Sequence, residues 1–357
     1  MKNKRAGRLI NFVIGFVLAA VLLWFFLKDA DWAAVGSAIG GASIALLALA
    51  FAGHVLSLLI RSLRWRVLLG PIKRDIGYAP VWKYFNIGFA VSSLLPGRIG
   101  EVLRPYLLAR DQGISFTSSF ATVVTERVID LVAVLALLGT IFIFPDELGI
   151  HAADPDAAML IGTIKVFGLV AMLVAIAAVI FLALLRTKTE WALAIVRFVG
   201  KPLPQKISDL LERLVRSFSA GIGGLRGWRD LSLVIGTTVL NWLLVTACFW
   251  VALGGFGMWV PFHHGFFLLA VVALGVVVPT PAGTGTYHVA VAIVAFNLWG
   301  LPESSVKAYA IVNHLITFSP VVIIGVFYLL TGHINIFAAA DRAEAAESTS
   351  GESGQAE

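Results

Sequence analysis

Apolar runs long enough to cross a bilayer recur along this chain and leave it a narrow choice of folds. A spanning helix needs about 20 mostly apolar residues for a hydrocarbon core of about 30 Å. Such runs lie at Leu9–Leu27, Ala42–Ile60, Phe116–Phe144, Leu160–Leu185, Leu231–Leu253 and Lys307–Thr331. Of the 357 residues, 59% are hydrophobic and 13% charged, against about 45–50% and 25% in soluble domains. A water-soluble globule of this composition has too little polar surface to cover itself. The expected fold class is an all-α integral membrane protein, because a helix satisfies its own backbone in hydrocarbon. The first run begins after Lys2, Lys4, Arg5 and Arg8, as a signal peptide does. It is longer than a signal core and ends in Trp24-Phe25-Phe26-Leu27-Lys28 without small cleavage-site residues, so it reads as a retained anchor.

Two further apolar stretches, Val81–Leu95 and Phe262–Val278, run into Pro and Gly. The first is followed by Pro96-Gly97-Arg98-Ile99-Gly100-Glu101. The second leads to Pro281-Ala282-Gly283-Thr284-Gly285-Thr286, with Pro and the second Gly at an offset of 185. Pro removes a backbone donor and Gly permits a tight reversal. Pro96, Gly97, Gly100, Pro281, Gly283 and Gly285 are therefore expected as structural breaks in two re-entrant helical hairpins. A plain kink in an ordinary span is the alternative. Six full transmembrane helices and two re-entrant hairpins then form an inverted repeat. Repeat one covers about 9–144 and repeat two about 160–331. One membrane domain occupies 1–337, and residues 338–357 read as a disordered cytoplasmic tail.

Orientation follows from the positive-inside rule. Of the 27 Lys and Arg, 23 fall in the segments 1–8, 61–115, 186–230 and 332–357, whereas Pro145–Met159 has none and carries four acids. Both termini are expected in the cytoplasm, the membrane being a bacterial inner membrane. Lys206–Phe218 has helical apolar spacing and reads as an interfacial helix or one packed on its own protein. The net charge of +6 sits beside apolar segments rather than in one block, so no nucleic-acid partner is expected. One cysteine, Cys248, and no Cys/His cluster leave no disulfide and no metal site to propose.

The third run contains Thr125-Glu126-Arg127-Val128-Ile129-Asp130. Three ionisable side chains in one span are costly unless they face protein or a wet cavity. Glu126 and Asp130 share a face, and Arg127 reaches Asp130 at i,i+3. In the first hairpin, Arg98, Glu101 and Arg104 repeat every three residues, and arginine suits bidentate phosphate contact. These six residues are the candidate head-group site; a buried ion-pair staple and a cytoplasmic surface face are the respective alternatives. Arg61, Arg64 and Arg66 around Trp65 read as a cytoplasmic anchor or part of the site. His288 is added because it follows the second break; His54 and His314 read as packing groups. No G-x-x-x-x-G-K-[ST], H-E-x-x-H or G-x-S-x-G occurs, so neither an ATPase nor these catalytic sites are expected.

Arg61-x-x-Arg64-Trp65, Leu95-Pro96-Gly97-Arg98-Ile99-Gly100-Glu101, Thr125-Glu126-Arg127-x-x-Asp130-Leu131, Pro279-x-Pro281-x-Gly283-x-Gly285 and Asn313-His314 together resemble the transmembrane, flippase-like domain of lysylphosphatidylglycerol synthases and its stand-alone members. The resemblance covers about residues 9–331 and implies translocation of a phospholipid or a polyprenoid- or hopanoid-type amphiphile. Synthase members carry a further aminoacyl-transferase domain, for which this sequence has no room. His288 stands where relatives carry Glu, which departs from the pattern. The expectation is a lipid flippase or transporter without its own ATPase, neither an enzyme nor cofactor-dependent, with a membrane lipid as substrate. A non-transporting subunit that recruits a lipid- or glycolipid-modifying enzyme, an integral-membrane transferase using Glu126 or Asp130 as base, and a homo-oligomer stay open.

Overall fold

In the computed structural model every regular element among the described residues is a helix. Described are residues 2–95, 98–139, 189–201, 228–278 and 280–332, with isolated positions between 166 and 181 and at 205, 208 and 212. The helices are α1 (Lys2–Leu27), α2 (Trp32–Gly40), α3 (Ile44–Leu69), α4 (Tyr78–Leu94), α5 (Gly100–Gln112), α6 (Phe116–Gly139), α7 (Thr189–Gly200), α8 (Trp228–Gly255), α9 (His264–Gly275), α10 (Thr286–Val291) and α11 (Glu303–Thr331). A 3-10 turn at Pro281–Gly283 precedes α10, and a π-helical stretch at Ala292–Leu298 follows it.

Helices α3, α8 and α11, with 26, 28 and 29 residues, are long and apolar enough to cross a membrane. At 1.5 Å per residue each exceeds a core of about 30 Å. The expected anchor corresponds to α1, which meets α2 at 90°; the two together pass as a fourth, broken span. Helix α2 was not foreseen: Asp31 caps it, its carboxylate accepting from the N–H groups of Ala33 and Ala34 at 3.0 Å. The third expected span begins as α6. Its cluster of Glu126, Arg127 and Asp130 within one apolar run sets it apart from those three helices. Residues 140–144, most of Leu160–Leu185, Pro145–Met159, most of Lys206–Phe218 and the tail lie outside the described residues. So do Pro96, Gly97 and Pro279.

The long helices are turned inside out relative to a soluble bundle. Leu49, Leu56, Leu59 and Leu63 of α3, Ile235, Val239 and Leu243 of α8, and Leu315, Ile323 and Phe327 of α11 are exposed. Their inward faces carry His54, Ser57, Arg64, Thr238, Asn241 and Asn313, all buried. Lipid tails supply little drive to separate apolar faces, so such bundles cohere through close packing and polar contacts. Ser57 Oγ donates to Asn241 Oδ1 at 2.7 Å, and Arg64 Nη1 donates to Thr238 Oγ1 at 3.1 Å. Gly53 meets Cys248 at the same α3–α8 crossing, where a β-carbon would strike the sulfur.

The offset of 185 seen at the breaks extends through the helices. Shifted by that number, 44–69 becomes 229–254, 78–94 becomes 263–279, 100–112 becomes 285–297 and 116–139 becomes 301–324. Helices α8, α9, α10 with its π extension, and α11 begin within two residues of those positions. Packing follows the same exchange: α4 lies on α11 as α9 lies on α6, and α3 and α8 pack against each other. The halves differ locally. Helix α4 has 17 residues and α9 has 12.

Candidate functional site

Helix α6 presents Glu126, Arg127 and Asp130 within little more than one turn, and arginines of α3 and α5 converge on them. Glu126 is fully buried. Its Oε2 accepts from Arg104 Nη2 of α5 at 2.9 Å, and its Oε1 accepts from Arg127 Nη2 at 2.7 Å. Arg64 Nη2 of α3 stands 3.6 Å away. Asp130 pairs with Arg64 Nη1 at 2.8 Å and with Arg127 Nη2 at 3.6 Å. Arg64 and Arg104 are each 1% exposed. A buried carboxylate is tolerable here because opposite charge and hydrogen bonds surround it. The rings behind the cluster hold its cations from the other side: Arg104 lies 4.8 Å from the Trp65 ring centre and 5.1 Å from that of Phe89.

Beside this cluster a cavity of about 500 Å³ opens between the two halves. Arg61, Arg98, Glu101, Arg127 and Asp130 form its charged wall; Leu131, Val134, Leu269, Val272 and Val277 contribute apolar surface; Thr280, Ala282, Gly283, Tyr287 and Thr317 stand on the second-half side. The two breaks adjoin here. Arg98, the first described residue after Gly97, has a left-handed φ of 53°, a conformation that costs a non-glycine residue free energy. Its Nη2 donates to the Val276 carbonyl at 3.0 Å, across the two halves. Its Nη1 stands 3.8 Å from Glu101 Oε1. The second break is held in left-handed backbone at Ala282, Gly283 and Gly285, with φ of 50°, 67° and 84°. Gly285 also lets α1 approach, since a β-carbon there would lie 2.9 Å from the Ala19 carbonyl oxygen.

Of the residues singled out in sequence, Arg98, Glu101, Arg127 and Asp130 line the cavity. Arg104 and Glu126 are buried behind its wall. Arg98, Glu101 and Arg104 do not form one helical face, because Arg98 precedes α5 and Arg104 turns inward to Glu126. His288 is absent from the wall: its ring packs 5.3 Å from Phe26 and 4.8 Å from His314. A polar column runs near it. Asn313 Nδ2 donates to Tyr287 Oη at 2.7 Å and Tyr309 Oη at 3.1 Å. Thr317 Oγ1 donates to the Asn313 carbonyl at 2.7 Å and contacts His54 Nε2 at 3.4 Å. His314 Nε2 meets the Ala282 carbonyl oxygen at 3.0 Å and ties α11 to the second break.

Arg64 is the residue whose central place sequence reading did not fix. Two carboxylates on one face with a single cation nearby was the signal that further cations must come from another helix. Among the described residues no three His, Cys, Asp or Glu side chains are grouped to hold a metal.

Apolar outer faces, a buried ion cluster and a cavity at the junction of two broken segments define a multi-pass α-helical membrane protein. Within that class, the chain belongs to the family of the lysylphosphatidylglycerol synthase TM region, whose model matches residues 12–325. It is similar to a UPF0104 membrane protein of Methanothermobacter thermautotrophicus, 27% identical over 350 residues, covering 91% of this chain and 95% of that one. A UPF0104 membrane protein of Methanocaldococcus jannaschii is 23% identical over 287 residues, covering 79% and 83% of the two chains. Glycosyltransferase AglD of Haloferax volcanii is 24% identical over 361 residues, covering 94% of this chain. The chain spans only 57% of the length of AglD.

Proposed function

We propose that the chain moves a lipid or lipid-like amphiphile between leaflets, the head group passing through the cavity while the tails stay in lipid. The observation that carries this reading is the cavity itself: charged and apolar side chains line it together at the point where the two broken segments adjoin. A head group needs polar contacts at membrane depth, and irregular backbone at that depth needs a cavity to line. The matching of elements at one offset supports a repeat, which we read as inverted, with six full spans and two re-entrant hairpins in a single membrane domain. The basic loops support cytoplasmic termini, and the membrane in this reading is a bacterial inner membrane. In this reading Arg98, Glu101, Arg127 and Asp130 meet the head group. Arg104 and Glu126 hold the wall, and His288 supports the second break. No ATPase or catalytic role is assigned to the chain. Movement follows a gradient, removal of product in one leaflet, or proton coupling.

The test is reconstitution in liposomes with a fluorescent phospholipid whose outer-leaflet copies are quenched chemically. Wild type accelerates exchange between leaflets. Arg98→Ala slows it about tenfold, the effect of one charge-assisted hydrogen bond of about 1.5 kcal/mol, with protein level nearly unchanged. No acceleration by wild type refutes transport. A second reading takes support from the similarity to a longer glycosyltransferase: a membrane subunit that recruits a lipid- or glycolipid-modifying enzyme through the basic 186–230 segment. Co-purification of such an enzyme, lost when the basic residues of that segment are neutralised, would favour it.

A further inference from the structure

We propose that His288 is a proton site, and that a proton bound there releases the second break and speeds lipid movement in acid. The site stands on the geometry of the break; only its effect on movement rests on the transport reading.

The break is backbone held in a costly shape. Ala282, Gly283 and Gly285 have left-handed φ of 50°, 67° and 84°. For Ala282, which has a β-carbon, that conformation costs free energy and persists only where its surroundings impose it. A histidine grips each end. His314 Nε2 of α11 meets the Ala282 carbonyl oxygen at 3.0 Å. A carbonyl only accepts, so Nε2 carries the hydrogen. His288 Nδ1 of α10 accepts from the Gly285 N–H at 3.4 Å, so Nδ1 carries none and His288 is the neutral ring. The two rings lie 4.8 Å apart, centre to centre.

The two grips respond differently to a proton. His314 donates to Ala282 whether neutral or charged. A proton on His288 Nδ1 turns an acceptor into a donor that faces a donor. The Gly285 N–H then loses its partner, and the strained turn is free to relax. Thr280, Ala282, Gly283 and Tyr287 line the cavity, so the turn that His288 releases is part of the cavity wall.

The surroundings admit a charge without fixing it. Phe26 of α1 lies 5.3 Å from the His288 ring and Tyr287 lies 5.6 Å from it, and aromatic faces tolerate a cation. Among the described residues no carboxylate stands within ion-pair distance of either histidine. The charged and titratable groups on neighbouring elements are engaged elsewhere. Lys28 of α1 stands 3.6 Å from Asp29, and Lys307 of α11 stands 2.6 Å from Glu303. Arg98 donates to the Val276 carbonyl, His54 of α3 contacts Thr317, and Tyr309 accepts from Asn313. Helices α4 and α9 carry no titratable side chain after Tyr84 and His264.

The experiment follows a fluorescent phospholipid in liposomes that hold the purified full-length chain, with equal pH on both sides. The pH runs from about 8 to about 5, the range in which histidine titrates. Wild type should move lipid about tenfold faster at the acid end, tenfold being one pH unit of occupancy for a single-proton site. Glutamine at 288 can still accept from the Gly285 N–H, as a capping glutamine does, but does not titrate. His288→Gln should therefore flatten the profile, and His314→Gln should keep it. A flat wild-type profile overturns the proposal, as does an unchanged slope in folded His288→Gln. Deuterium exchange of residues 280–287 in detergent, corrected for the intrinsic effect of pH, gives a reading that needs neither variant nor transport. Acid should remove protection there; unchanged protection overturns the proposal. Acid opening without lipid movement at any pH refutes transport and leaves the proton site standing. Movement with a flat profile does the reverse.

Discussion

Glu126 has no contact with solvent, so its charge is balanced by neighbouring side chains alone. Three arginines from three helices do this, and they in turn depend on it. Glu126→Ala strips Arg104 of the only carboxylate it hydrogen-bonds among the described residues and leaves Arg64 and Arg127 sharing Asp130. Breaking a buried pair from one side costs about 3–5 kcal/mol. We expect little monodisperse protein on size exclusion, and a clearly lower Tm in what remains. Glu101→Gln is the contrast: its pairs are long, at 3.8 and 3.9 Å, and it faces the cavity, so Tm should change little. A Glu126→Ala protein as stable as wild type would mean that the cluster does not hold the bundle. The acids of α6 were legible in sequence as charges inside an apolar run. Arg104 was placed in the same site but not paired with Glu126, and Arg64 was not paired with either acid, because helical spacing reveals partners on the same helix only. The bonds that matter here join residues 22 and 66 positions apart.

At the scale of elements, the packing of α4 and α5 depends on how closely the two helices can approach. Gly88 and Gly100 face each other so nearly that a β-carbon on Gly100 would collide with the Gly88 carbonyl oxygen and lie 2.6 Å from Ser92 Oγ. The obstacle is backbone and cannot move aside cheaply. Gly100→Ala should therefore lower Tm by the equivalent of about 1–3 kcal/mol, the usual cost of overpacking. Gly236→Ala, in α8 where nothing lies within 4 Å of a new β-carbon, should leave Tm unchanged or slightly raised. Equal behaviour of the two variants would refute the close approach. Gly100 was readable in sequence as a break residue. Its described role is different: it starts α5 and gives way to a neighbour, a property no local pattern encodes. The Pro281 break was legible because Pro and Gly impose their own backbone. Helix α2 was missed because nine residues between longer apolar runs carry no distinct period.

For the whole molecule, the decisive measurement is the side of the membrane on which each loop lies. With Cys248→Ala as background, single cysteines at Asp154 and Arg197 should label from opposite faces, position 197 from the cytoplasm. Labelling of both from the same face would overturn the proposed topology. The architecture was legible to the extent that apolar length and the 185-residue offset expose it. Where the halves meet, as in Arg98 reaching Val276, only three dimensions could tell. The offset has one more consequence. The positions matching Arg61, Arg64, Arg98, Glu101, Arg104, Glu126, Arg127 and Asp130 are Thr246, Phe249, Gly283, Thr286, Val289, Ile311, Val312 and Leu315. The scaffold is doubled, but the charge is not. All eight ionisable groups belong to the first half, so the electric field across the cavity has one sense and no mirror. A dipolar molecule between the halves is therefore aligned as by a single electrode, its negative end turned toward the first half, and the matching elements of the second half do not offer it an equivalent reversed pose.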